Sequence, residues 1–344
     1  MSFDFNQYYP DSGKTLEELG YEGPELEILQ AAMESPVGLV VVAGISGSDP
    51  HDTLYGCLRL ATRHASGRKV ERVGGSWDYP NSGLALGAGS PSDANSFRRS
   101  MLYALRGDPD LLMVGEVRDL ESAQTLQSVV QSGHKALTTI HASSAFSIIQ
   151  RLARLGYEFT ADMDILEMSA LVYQAKIPSL CSHCSVDFEQ AKKCSMDWSD
   201  FQAQRFETFV TPDLLARLRF KNHSGCQHCN GGVVGKTTVA EAITPDETLL
   251  RLLIEGRELE ALEYHRKLGG RTILEAAISK AIRGIVDLRD IELRVDLLAH
   301  YVVLENGESR LQYEYPPEYF IATPSITLPG QAFDTIEKTH TEQI

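Results

Sequence analysis

The chain has 344 residues, 43% hydrophobic and 23% charged, with a formal net charge of −15, the composition of a soluble globular protein long enough for two or three domains. The negative balance speaks against broad binding to the phosphate backbone of DNA or RNA, so no nucleic-acid partner is expected. No apolar run approaches the roughly 20 residues that cross a bilayer, and MSFDFNQYYPDSGK at the start has neither the basic region nor the apolar core of a signal peptide. The expected location is the cytoplasm, with contact to a membrane-embedded partner left open.

In chain order, TLEELGYEGPELEILQAAMES predicts one or two short amphipathic helices, and VGLVVVA (Val37 to Ala43) a buried strand. The glycine-containing stretch GISGSDPHDTLYG (Gly44 to Gly56) follows, leading into a helix over DTLYGCLRLATRHAS. The segment ERVGGSWDYPNSGLALGAGSPSDANS is rich in Gly, Ser and Pro and reads as loop with short strands. A helix over SFRRSMLYALRG then precedes DPDLLMVGEV, an apolar strand ending in the carboxylate of Glu116. DLESAQTLQSVVQSG predicts a helix capped by Asp119 and stopped by Gly133; the strand KALTTIHA and the helix SAFSIIQRLARLG follow. Alternating buried strands and helices specify an α/β fold with a mostly parallel sheet covered on both faces. Ligands of such sheets bind beyond the carboxyl ends of the strands, where Gly44, Glu116 and His141 all fall.

Four of the six cysteines form two CxxC pairs, Cys181 with Cys184 and Cys226 with Cys229. Two such knuckles can close a tetrahedron of thiolates around a structural Zn²⁺; two unrelated pairs or a redox couple are the alternative. His183 and His228 inside the knuckles read as spacers, and Cys57 and Cys194 as ordinary thiols.

The run RGDPDLLMVGEVRDLESAQT…SGHKALTTIHASSA resembles the Walker B and histidine boxes of the ATPase family that drives type II secretion and type IV pilus assembly. LEELGYEGPELEILQAAMESPVGLVVVAG is similar to that family's approach to its ATPase core. The four-cysteine insert, GGVVGKTTVAEAITPDETLLRLLIEG and GGRTILEAAISKAIRGIVDLRDIELRV resemble the zinc module and C-terminal helices of its pilus-extension and secretion branch. The resemblance covers about residues 15 to 297. It implies a RecA-like P-loop core in a hexameric ring that turns ATP hydrolysis into movement of an inner-membrane platform protein. The expected organisation is an N-terminal linker over 1–36 with the family's large N-terminal domain absent, an ATPase core over 37–170, a tetracysteine module over 171–235, a helical subdomain over 236–298 and a tail over 299–344.

A working phosphate loop reads G-x-x-x-x-G-K-[ST]: backbone N–H groups surround the phosphates, lysine neutralises them and the hydroxyl ligates Mg²⁺. Here Gly44, Ser46, Gly47, Ser48 and Thr53 hold nucleotide-loop positions, but the second glycine is Asp49, the lysine is Pro50 and the hydroxyl is His51. Pro50 removes a backbone donor as well as the cation. A carboxylate about 5 Å from a phosphate at an effective dielectric of ~20 costs on the order of 3 kcal/mol. The same residues suit a helix start, with Asp49 as N-cap, Pro50 in the first helical position and Asp52 in the first turn, so that the protein supplies its own anion where phosphate would sit.

The family's acidic box falls on Gly74, Gly75 and Ser76, with Asp78 at the later acidic position; its arginine before Walker B falls on Leu102, with Arg106 kept and Arg98 and Arg99 displaced. Glu116 and His141 are the retained catalytic positions. Glu116 either holds Mg²⁺ or its water, or is a buried relic paired with Arg118; His141 senses a γ-phosphate or is a satisfied core histidine. Arg118 and Asp119 either pair across a subunit boundary or cap the next helix. The substitutions count against bound ATP and Mg²⁺. They favour a structural or regulatory subunit of a pilus, secretion or conjugation machine, in a homo-hexamer or in a mixed ring with an active paralogue. The alternative is an active divergent motor ATPase that replaces the lost lysine with Arg72 or Lys69.

Overall fold

The apolar run after Val37 forms β1 (Gly38–Gly44), buried at every residue. Successive side chains enter different cores: Leu39, Val41 and Ala43 on one face of the sheet, Val40 and Val42 on the other. That is why the run is continuously apolar rather than alternating. The computed structural model describes residues 14–64, 70–73, 101–159, 167–194, 203–204, 206–207, 210 and 212–298.

β1 lies inside a six-stranded sheet of order β2-β3-β4-β1-β5-β6, formed with β2 (Val70–Val73), β3 (Leu111–Glu116), β4 (Lys135–Ile140), β5 (Met168–Leu180) and β6 (Val233–Ile243). Five strands are parallel, and β6 runs antiparallel to β5 at the edge. The helices α1 (Leu16–Leu19), α2 (Gly23–Glu34) and α3 (Pro50–His64) cover the Val40 face. The helices α4 (Leu120–Gln131), α5 (Ile148–Arg154) and α8 (Glu247–Ile254) cover the opposite face, which takes Leu39 and Val41. Among the described residues, α6 (Phe188–Cys194) and α7 (Pro212–Arg217) come between α5 and α8, and α9 (Glu258–Lys267), α10 (Ile273–Ile282) and α11 (Leu288–Arg294) follow. A third core joins α6, α7, α10 and α11 over the far half of β5.

The α/β architecture expected from the sequence is thus present. α4 carries the Asp119 cap, whose carboxylate accepts the Ser122 N–H at 2.8 Å, and Gly133 stops the segment at a φ of 83°. The positions 170/171 and 235/236, expected as domain breaks, fall inside β5 and β6 of the one sheet. Among the described residues no helix is long and apolar enough to cross a membrane.

The N-terminal helices are fastened to the C-terminal ones by charge. Glu25 takes a two-pronged contact from Arg271 at 2.6 and 2.5 Å, both side chains buried. Arg283 grips Glu22, and the buried Lys280 donates to the Gly20 carbonyl and to Thr237 Oγ1 at 3.0 Å.

Glu241 on β6 joins three elements from inside. Buried, it accepts the backbone N–H of Ala145 at 2.6 Å and that of Ile273, at the start of α10, at 3.2 Å. Burial raises its pKa to about 7, against the lowering effect of these two donors. The folded protein therefore binds more protons than the unfolded chain between about 4.5 and 7, and stability falls as pH rises through that window, by an amount on the order of 3 kcal/mol. Thermal midpoints measured from pH 4.5 to 7.5 are expected to show this slope and to lose much of it in Glu241→Gln.

Candidate functional site

The loop between β1 and α3 begins where the sheet's carboxyl edge meets β5. Gly44 pairs with Gln174, and a Cβ at Gly44 would stand 2.2 Å from Ser48 Oγ and 2.7 Å from the Gln174 carbonyl, so only glycine fits. Ile45 and Ser48 close the turn through Ser48 N–H to Ile45 O at 3.0 Å. Ser46 and Gly47 are exposed, Gly47 at a φ of 78°, while Ser48 and Thr53 are buried.

β5 holds this loop from within the sheet. Gln174 Nε2 donates to the Ser48 carbonyl at 2.6 Å; its Oε1 accepts from Thr53 Oγ1 at 2.7 Å and from the Tyr21 hydroxyl at 2.5 Å. Burial pushes the Tyr21 pKa up, keeping it a neutral donor. Two residues further along β5, Lys176 Nζ lies 2.8 Å from Asp49 Oδ2 and 2.7 Å from Asp52 Oδ2. Burial lowers the Lys176 pKa, but the two carboxylates outweigh it and the net shift is upward, so the ammonium is held charged.

These contacts correct two expectations. Pro50 is the first residue of α3, but Asp49 has a left-handed φ of 48° rather than the extended backbone of an N-cap, and its carboxylate goes to Lys176. The anions at the helix start are already bonded to a lysine of the protein instead of standing free in the place of phosphate. Among the described residues the cation that reaches the loop is Lys176 and not Arg72, which lies on β2 with β3 and β4 between it and β1; Lys69 is outside the described residues. A signal for Lys176 was in the sequence: LVYQAKIPSL places Gln174 and Lys176 two apart in an apolar run, hence on one face of a strand.

Glu116 and His141 come together as the ends of β3 and β4. His141 Nε2 is 3.1 Å from Glu116 Oε1, with side chains 78% and 35% exposed. His141 is therefore no core histidine, and Glu116 is neither buried nor dependent on Arg118 for a partner. Parallel pairing of β3 and β4, with Glu116 opposite Thr139, sets this geometry. A carboxylate and an imidazole in solvent reach can hold a water or a cation-bound water between them and a ligand on the same edge. Asp119 is engaged in its cap to Ser122, and hydrogen bonding from the Ser122 backbone holds its carboxyl below the usual range. Leu102 is exposed; Arg98, Arg99, Gly74, Gly75, Ser76 and Asp78 lie outside the described residues.

The four knuckle cysteines converge. Sγ separations are 3.8 Å for Cys181 and Cys226, 3.6 Å for Cys184 and Cys229 and 3.7 Å for Cys226 and Cys229, all four lying within 4.8 Å of one another. A tetrahedron with Zn–S bonds of about 2.3 Å has edges of about 3.8 Å, so the donor set fits a tetrahedral, thiolate-preferring ion. The Cys226 N–H points at Cys229 Sγ at 3.2 Å and the His228 N–H at Cys226 Sγ at 3.4 Å, the donors thiolates need. Partial desolvation pushes the Cys229 thiol up, but the N–H groups of Cys226 and Gly232 bring it down to about 7. His183 and His228 stack on each other at 4.2 Å, outside the sulfur cluster. Cys57 is buried in the core, where desolvation raises its thiol to about 12 and leaves it inert. The side chain of Cys194 lies outside the described residues.

The model of a family described as type II/IV secretion system protein matches residues 8–293. The type IV pilus assembly ATPase PilB of Pseudomonas aeruginosa is 27% identical over 277 residues, covering 80% of this chain and 46% of the relative. The type II secretion system ATPase E of Vibrio cholerae is 27% identical over 278 residues, covering 80% of this chain and 52% of the relative. The chain thus spans about half the length of these curated relatives. Among solved structures, the pilus retraction motor PilT with bound ADP superposes with a TM-score of 0.51 at 16% identity, covering 80% of this chain and 65% of that one. The Legionella pneumophila ATPase DotB gives 0.51 at 17% identity, covering 81% and 64%. The shared fold is the RecA-like one.

Proposed function

Given that the chain belongs to the type II/IV secretion system protein family, we propose that it is a member impaired in ATP hydrolysis, serving as a structural or regulatory subunit of a pilus, secretion or conjugation machine. It joins a hexameric ring, alone or with an ATP-hydrolysing paralogue, on the cytoplasmic side of an inner-membrane platform protein. The tetracysteine site holds a structural Zn²⁺, which stiffens the module between β5 and β6.

The observation that carries this reading is the loop. Where a phosphate-binding lysine would project there is Pro50, and two carboxylates, Asp49 at the second glycine position and Asp52 in the first turn of α3, are bonded to Lys176. A triphosphate would have to separate both pairs and then meet two carboxylates deprived of their shared ammonium, a loss of several kcal/mol in a partly buried site. The alternative, an active divergent motor, is favoured by Glu116 and His141, which stand together at the sheet edge with solvent access.

Calorimetric titration of the zinc-loaded protein with magnesium-ATP is expected to show no binding below millimolar concentration, and a phosphate-release assay no turnover. Micromolar affinity together with turnover that Glu116→Gln abolishes would overturn the reading.

A further inference from the structure

We propose that Lys176 is a built-in cationic lock: it closes the loop between β1 and α3 through Asp49 and Asp52 and makes the order of that loop independent of any nucleotide. The proposal rests on the functional reading above, since a loop that serves structure must hold its shape unaided.

Three features of the geometry support it. First, a single nitrogen serves both carboxylates, at 2.8 and 2.7 Å, from a side chain that is 12% exposed. It therefore ties the last loop residue to the first turn of α3. Second, Gln174, on the same face of β5, fastens the flanking residues Ser48 and Thr53, so that one strand grips the chain at positions 48, 49, 52 and 53. Third, the inside of the turn is filled by the chain itself, with Ser48 Oγ packed toward Gly44 and no room there for even a methyl group.

The charge arithmetic of the cluster says what the lock selects. Two carboxylates and one ammonium leave a net negative charge, which repels phosphate. If the ammonium is removed, the two carboxylate oxygens that had converged on one nitrogen lose the cation they shared. Oxygen-coordinated Mg²⁺ or Ca²⁺, with ligand distances of about 2.0–2.6 Å, suits that place. The same loop that binds anions in an ordinary phosphate site has here become a cation site already filled by its own lysine.

The test is amide hydrogen exchange over residues 45–54 together with the thermal midpoint, in nucleotide-free buffer with chelator. Lys176→Met is expected to exchange at least tenfold faster in the loop, with exchange in β3 and β4 unchanged; Lys176→Arg is expected to stay within a few-fold of the parent. Millimolar Ca²⁺ or Mg²⁺ is expected to restore protection to Lys176→Met and to leave the parent unaffected. The triple variant Asp49→Asn/Asp52→Asn/Lys176→Met has neither the tie nor the repelling carboxylates; it is expected to fold, and its loop to exchange several-fold faster than the parent's with or without cation. Parental exchange in Lys176→Met overturns the lock, and so does parental exchange in the triple variant. Where Lys176→Met does not fold, the triple variant decides: a folded chain with a fast-exchanging loop supports the lock, and parental protection or failure to fold overturns it. None of these measurements contains nucleotide, so the ATP titration fails or succeeds separately.

Discussion

Cys181→Ser is expected to lose its metal and to unfold the segment between β5 and β6, leaving the sheet formed by β1, β3 and β4 intact. Four thiolates within 4.8 Å of one another repel strongly unless a cation sits among them. The apolar residues of the module, Phe188, Phe206, Leu214 and Phe220 among them, are buried in the core shared with α10 and α11 rather than in one of the module's own, so the metal is what holds its two cysteine knuckles together. Apparent metal contributions of about 10–16 kcal/mol in zinc-dependent peptides equal or exceed the ~5–15 kcal/mol that an ordinary domain has in total. Metal analysis of freshly purified, reduced protein should therefore return one zinc per chain. A chelator should expose cleavage sites between Cys184 and Cys226 to limited proteolysis, and added Zn²⁺ should protect them again. Metal-free protein with the same proteolysis pattern would refute the assignment.

Arg271→Met is expected to be the most damaging substitution in the helical half of the molecule. The guanidinium is the buried partner of Glu25, and without it a carboxylate with 5% of its side chain exposed stays behind in the protein. Breaking one side of such a pair costs about 3–5 kcal/mol, or roughly 6–20 °C in thermal midpoint at about 2–4 °C per kcal/mol. The double variant Glu25→Leu/Arg271→Met should recover most of the loss, because no charge is then left without a partner. Differential scanning calorimetry of the two singles and the double gives the coupling directly. Losses in the two singles that simply add would show that the two groups do not depend on each other.

What could be read from the sequence was local. Val37 to Ala43, Leu111 to Glu116 and Lys135 to Ile140 are apolar runs bounded by polar caps or turns, and each became a parallel strand. The cap at Asp119 and the stop at Gly133 depend on residues within one helix, and both stand. The CxxC pairs were legible because metal chemistry limits the spacing of thiolates. The unread parts depend on distant pairing. Lys176 meets Asp49 from 127 residues away, and nothing in the loop names its partner. β5 was obscured by polar Gln174, Lys176 and Pro178 in an apolar run, whose positions make sense only once β6 and the loop lie against it. Glu116 and His141 were each placed correctly at strand ends, but their contact depends on the β3–β4 register. The exposure of His141 follows from its place just past β4, on the open edge of the sheet.

The ties between the N-terminal helices and α10 also set the order in which the chain becomes a protein. Glu25 waits for Arg271, and Glu22 for Arg283, 246 and 261 residues later. Ribosomes add about 5–20 residues per second, so these carboxylates emerge some ~10–50 s before their partners. During that interval the Val40 face of the sheet has its own helices but not the strand and helix that close it. Contacts this far apart along a chain form late and at high entropic cost. These helices are therefore made long before they are secured, and until α10 is complete the buried carboxylate of Glu25 has no guanidinium to meet.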